Sequence, residues 1–114
     1  MINARFSLLR FALNFKDADK DANTFFHFNP RFDEGCVVRN SRLNESWGDE
    51  ERDGDNPFVP GEPFLLCITA NVDGYEVHLF LSLNNVYFRT HSKSDTTEKI
   101  WCVTHTTFSY LTLQ

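Results

Sequence analysis

An all-β fold, a two-sheet antiparallel sandwich, is what this sequence predicts, and three observations predict it. Apolar and polar residues alternate over short runs. No window carries the sustained i, i+3, i+4, i+7 apolar stripe of an amphipathic helix. Asp, Asn, Gly and Pro interrupt the runs at short intervals, as in chains of many short strands. The length of 114 residues suits one domain. Hydrophobic residues are 41% and charged residues 24%, a globular balance, and twelve Phe supply material for a core.

The elements follow in order. Phe11, Leu13 and Phe15 alternate with Ala12 and Asn14, the pattern of a half-buried strand. Residues 17–23 read as a polar loop. In the strand expected over 26–32, Phe26, Phe28 and Phe32 share the core face, and His27, Asn29 and Arg31 share the other. Pro30 points to a distorted or edge-like strand. Asp33-Glu34-Gly35 is a turn, and 36–40 a short β-rich run. Residues 44–56 are polar around one Trp, and 57–63 form a Pro-rich connection. Strands are expected over 64–69 and 75–81, joined at Asp73-Gly74. Beyond that, 86–88 and 101–104 have strand character but no evident turn partner.

Charge and cysteine content exclude several functions. Net charge is -5 and the pI about 5.2, the wrong field for a nucleic-acid backbone or an anionic membrane surface. No apolar run approaches the ~18 residues of a membrane span, and residues 1–15 lack the apolar run of a signal peptide. Cys36, Cys67 and Cys102 form a sparse, odd set, expected as reduced thiols in the cytosol. The sequon Asn44-Glu45-Ser46 carries no weight without an export signal. Asp17, Asp19 and Asp21 imitate the start of a calcium loop, but Ala22 and Phe28 stand where such a loop needs Gly and Glu. Cys102 and His105 make half a zinc site with no second half. No cofactor or metal is expected.

The informative constellation lies between residues 27 and 52. If the strands over 26–32 and 36–40 pair, Asn40 lies beside the row His27, Asn29, Arg31. Trp47-Gly48-Asp49-Glu50-Glu51-Arg52 then adds an aromatic plate, a carboxylate and a guanidinium. A pyranose offers hydroxyls on its edge and a C–H patch on one face, and these side chains match both. A sugar of the wrong epimer would leave a buried donor or acceptor unmatched, at about 1–3 kcal/mol. Catalysis is not expected: Asp49, Glu50 and Glu51 supply carboxylates, but no second carboxylate is identifiable across the ligand, and neighbouring arginines favour an ionised Glu50 over a general acid.

His27-Phe28-Asn29-Pro30-Arg31-Phe32, Val38-Arg39-Asn40 and Trp47-Gly48-Asp49-Glu50-Glu51-Arg52 together resemble the galectin carbohydrate-recognition signature in order and spacing. The likeness extends over residues 5–79. It implies a galectin-like jelly roll and a non-enzymatic lectin for β-galactosides. It further implies that His27, Asn29 and Arg31 hold the axial 4-hydroxyl of galactose and that Asn40 and Glu50 hold the 6-hydroxyl. Trp47 would stack on the ring, and Arg52 would reach the second sugar. Partners implied are β-galactoside glycans and glycoproteins, with a homodimer supplying bivalency. Localisation is expected to be cytoplasmic, with non-classical secretion to the outside.

Departures from the family pattern set further expectations. Residues 1–81 are expected to be a partial recognition domain that lacks the family's first strands, and 82–114 a divergent C-terminal segment. The sandwich is therefore expected to be incomplete. The alternatives are a galectin-related protein-interaction module that has lost sugar binding, or a non-functional truncated product.

Overall fold

The alternating runs become ten strands in a computed structural model, which describes residues 2–7, 9–16, 23–60, 62–81, 85–90, 99–105 and 111–113. Among the described residues every regular element is a strand. The chain divides into two units, Met1–Asn56 and Pro57–Gln114. The first holds β1 (Ile2–Phe6), β2 (Phe11–Lys16), β3 (Thr24–Arg31), β4 (Cys36–Leu43) and β5 (Ser46–Trp47) in one antiparallel sheet, in chain order. The second holds β6 (Phe64–Asn71), β7 (Gly74–Phe80), β8 (Asn85–Thr90), β9 (Lys99–His105) and β10 (Leu111–Leu113), in the order β10-β9-β6-β7-β8. The all-β, two-sheet antiparallel class expected from alternation is the one observed.

In the first unit, Leu13 lies opposite Phe28 and Phe15 opposite Phe26 across β2 and β3. All four are buried. The Phe15 and Phe26 rings lie 6.0 Å apart. Burying each such side chain contributes about 1.5–3 kcal/mol. In the second unit Leu66, Ile68 and Ala70 of β6 and Val77 and Leu79 of β7 are buried at alternate positions. Phe58, from the Pro-rich connection, meets Phe64 edge to face at 5.0 Å.

Several expectations need correction. Pro30 does not mark an edge: β3 is central, between β2 and β4. The β2 register runs only to Leu13↔Phe28 and resumes as an isolated bridge, Arg10↔Arg31, so the ladder is interrupted around Pro30. The runs at 86–88 and 101–104 do have partners. β8 pairs with β7, and β9 pairs with β6 rather than with a sequence neighbour. Local periodicity carries no information on such distant pairing. β1, β5 and β10 were not anticipated; β5 is two residues long, and such short segments give alternation little to show. Asp17, Asp19 and Asp21 lie outside the described residues.

The thiols also differ from expectation. Cys67 and Cys102 stand directly opposite across β6 and β9 and are joined in a disulfide. Their separation of 35 residues hid this, because only the non-consecutive strand pairing brings them together. Cys36 is free. Denatured without reductant, each chain should therefore take one alkyl group, and after reduction three; mass spectrometry reads the difference.

The β4–β5 hairpin turns on Asn44 and Glu45, both at positive φ (51° and 67°). This is the primed geometry that suits the twist of a two-residue hairpin, and it favours Asn-Gly. Asn44 fits, whereas Glu45 carries the steric cost of a left-handed L-residue. Glu45→Gly is expected to stabilise the domain by about 1 kcal/mol, read as a higher midpoint in urea with an unchanged slope.

Candidate functional site

The polar face of β3 is built by cross-strand rows. Asn14, His27 and Asn40 stand opposite one another on β2, β3 and β4. Lys16, Thr24, Arg42 and Trp47 form the next row. Asn40 therefore lies beside His27, as strand pairing required. Arg31 points from the far end of β3.

Asn29 has a structural duty that accounts for its position. Phe32 N donates to Leu9 O at 2.7 Å, so the β2–β3 ladder would next require Pro30 to donate to Phe11 O. Proline has no N–H. Asn29 Nδ2 donates to Phe11 O instead, at 2.7 Å. With its amide so engaged, Asn29 Oδ1 accepts from Arg31 Nε at 2.7 Å, which sets the plane of the guanidinium.

Beyond Arg31 runs a chain of alternating charge. Arg31 Nη1 donates to Glu34 at 3.0 Å and its Nη2 to Glu50 at 3.5 Å. Arg52 donates to Glu50 at 2.9 Å and to the same Glu34 oxygen as Arg31 at 2.8 Å. Arg10 extends the chain to Asp33, at 2.7 Å. Hydrogen bonds from Arg31 and then Arg52 hold the Glu34 carboxyl below the usual carboxylate range, and Arg10 does the same for Asp33. Glu50 and Glu34 in turn raise the pKa of Arg52. The network holds the Arg31 and Arg52 side chains in place against Glu34 and Glu50.

Glu50 and Arg52 follow β5 in a segment pinned to β4. Glu51 and Arg39 exchange two backbone hydrogen bonds of 2.9 Å. The Arg39 side chain is only 1% exposed; it donates to Val37 O and Asp53 O and pairs with the Asp53 carboxylate. Asn40 Nδ2 donates to Gly48 O at 2.9 Å, which ties down the residue after Trp47. A side chain at Gly48 would crowd Asn40, since a Cβ there would lie 3.3 Å from Oδ1.

Trp47 is 50% exposed, and its ring meets His27 edge to face at 5.0 Å. The indole is a surface plate, not a core residue. His27 Nδ1 lies 2.5 Å from Asn14 Oδ1, an acceptor, so Nδ1 carries the hydrogen and neutral Nε2 keeps a lone pair. Burial lowers the His27 pKa, and the charge of Arg31 lowers it further. The result is a cleft of about 430 Å³ lined by His27, Arg31, Asn40, Trp47, Gly48 and Glu50. Five of the seven residues singled out from the sequence line this cleft. Asn29 is buried behind Arg31, and Arg52 is bonded to Glu50 at the rim.

Three contributors escaped sequence reasoning. Asn14 is the polar interruption in an otherwise apolar strand, which was a usable signal. Glu34 has the look of a turn residue in Asp33-Glu34-Gly35, although it follows Arg31 by three. Arg39 gave no signal, since a charged residue in alternation reads as exposed. Among the described residues no cluster of three or more His, Cys, Asp or Glu is placed to hold a metal ion.

The family model for galactoside-binding lectins matches residues 3–100. The chain belongs to the galactoside-binding lectin family. That family is one of lectins, not enzymes, in agreement with the sequence expectation. Galectin-4 of Bos taurus is 46% identical over 69 residues, which cover 60% of this chain and 20% of that protein. The 32 kDa beta-galactoside-binding lectin of Caenorhabditis elegans is 48% identical over 58 residues, 51% of this chain and 21% of that protein. The match thus spans about a fifth of these relatives. The crystal structure of chicken galectin 2 shares the fold, with a TM-score of 0.57 at 24% identity, over 87% of this chain and 85% of that one.

A lowered His27 pKa has a signed consequence. As pH falls through 6.5, the ordinary imidazole value, the unfolded chain takes up its proton before the folded chain does. Stability therefore declines on acidification from that point. NMR titration of His27 should give a midpoint below 6.5.

Proposed function

We propose that this domain is a lectin for β-galactosides, with the sugar lying across the cleft over Trp47. The observation that carries the reading is a convergence. A half-exposed indole, a neutral imidazole acceptor and a pre-aimed guanidinium meet in one cleft of a chain from this family. His27 Nε2 and Arg31 hold the axial 4-hydroxyl, the imidazole accepting and the guanidinium donating, while Asn29 serves that hydroxyl from behind by fixing the plane of the guanidinium. Asn40 and Glu50 hold the 6-hydroxyl, which is both donor and acceptor. Trp47 covers the apolar C–H face of the ring. Arg52, braced by Glu50 and Glu34, faces the second sugar. The equatorial epimer removes the partner of His27 and Arg31, and stranding those groups costs about 1–3 kcal/mol.

The Cys67–Cys102 disulfide supports a working compartment more oxidising than the cytosol, which is where such glycans are displayed.

Retention on lactose-agarose tests the reading. The chain should bind and elute with lactose but not with cellobiose, whose terminal sugar is the epimer. Trp47→Ala and Arg31→Ala should each weaken binding at least about tenfold, as loss of a stacking plate or a charge-assisted bond implies, with unchanged circular dichroism. A folded protein that passes straight through the column refutes the lectin reading.

A further inference from the structure

The hairpin between β4 and β5 carries the one Asn-x-Ser/Thr sequence in the chain, Asn44-Glu45-Ser46. All three residues are exposed. Asn44 sits in the turn itself, and its backbone N–H donates to Asn23 Oδ1 at 2.9 Å. The turn is thus tethered by main chain. Among the described residues no hydrogen bond engages the Asn44 side-chain amide. Other asparagines of this sheet differ. Asn29 and Asn40 commit Nδ2 to the carbonyls of Phe11 and Gly48, and Asn14 holds His27. A substituent on Nδ2 would break those bonds at Asn29 or Asn40 and none at Asn44.

An exposed sequon is used only on the lumenal side of the secretory route, where the modifying enzyme meets it. The Cys67–Cys102 bond is an independent sign of that side, since such bonds form and persist in the endoplasmic reticulum and beyond and are rare in the cytosol. The sequon and the bond lie in different units of the chain, yet both require the same compartment. The hairpin also has a use for polar bulk. β5 is an edge strand of the first sheet, and Leu43 beside the turn is 46% exposed. A large solvated group at a sheet edge opposes pairing with another chain.

We infer that Asn44 is an N-glycosylation site and that the chain acquires an oligosaccharide there in the secretory lumen. The donor is a lipid-pyrophosphate-linked oligosaccharide. Asn44 Nδ2 bonds to the anomeric carbon of its first sugar, and the bond from that carbon to the pyrophosphate oxygen breaks. The lipid pyrophosphate leaves with the electron pair, the amide nitrogen gives up one proton to a base of the transferring enzyme, and nothing is oxidised or reduced. Ser46 supplies the hydroxyl that the acceptor sequence requires. Neither Asn44 nor Ser46 lines the cleft over Trp47, so a glycan at this position stands whether or not that cleft takes galactosides.

Mass spectrometry of the full chain, made by animal cells from its own coding sequence, tests this. The intact mass should exceed the 13.3 kDa of the bare chain by a ladder of hexose and N-acetylhexosamine units. Peptide N-glycosidase should return it to that mass, with position 44 read as Asp in the tryptic peptide 43–52. Asn44→Gln and Ser46→Ala should each abolish the added mass. Ser46→Ala leaves both turn residues in place, so it reads the acceptor hydroxyl apart from any effect on the hairpin. Ser46→Thr and Glu45→Gly should keep the added mass, since both leave the acceptor pattern whole. Protein of bare mass, whether recovered from the medium or from the cytosol, overturns the assignment, as does added mass that survives Asn44→Gln.

Discussion

The site depends on a hydrogen bond that the backbone of β3 cannot make. Pro30 interrupts the ladder to β2, and the amide of Asn29 supplies the missing donor to Phe11 O. A buried carbonyl left without a partner costs about 1–3 kcal/mol, so the exchange is enforced by the fold. Its by-product is orientation. Once the nitrogen of Asn29 is committed to β2, its oxygen faces Arg31, and the guanidinium has one favoured plane. A proline that looks like a defect in a central strand thus sets the geometry of two adjacent polar groups.

The second constraint is electrostatic. Arg31 and Arg52 share Glu34 and divide Glu50 between them, so each of these two cations has two anionic neighbours, and Glu34 gathers a third cation, Arg10. Pairs this exposed contribute little to stability one by one. Their effect here is to restrict long side chains to conformations that face the cleft. Ordering those side chains on ligand arrival would otherwise be a cost of association.

Much of this was legible in the sequence. Period-two alternation located β2, β3, β4, β6 and β7, and the side-chain parity of β3 put His27, Asn29 and Arg31 on one face. Register did the rest, since a one-residue slip would have turned Asn40 away from His27. What stayed hidden was non-local or too short to show a pattern. β9 reaches back to β6, so neither its partner nor the Cys67–Cys102 bond is written in local periodicity. β5 has two residues, and its place follows from the Asn44-Glu45 turn rather than from hydrophobicity. Arg39 inverts the usual rule that charge lies outside; it is buried because three acceptors on Val37 and Asp53 meet it there.

That sealed arginine has a kinetic meaning. The segment bearing Glu50 and Arg52 belongs to no long strand, and in isolation it would fray on its own. Freeing it would take both Asp53 acceptors away from a buried guanidinium, which makes its opening costlier than that of an unpinned loop. Excursions of the rim are thereby tied to rupture of the β4 ladder itself. Amide exchange at Arg39 and Glu51 would then report the same protection as the sheet interior.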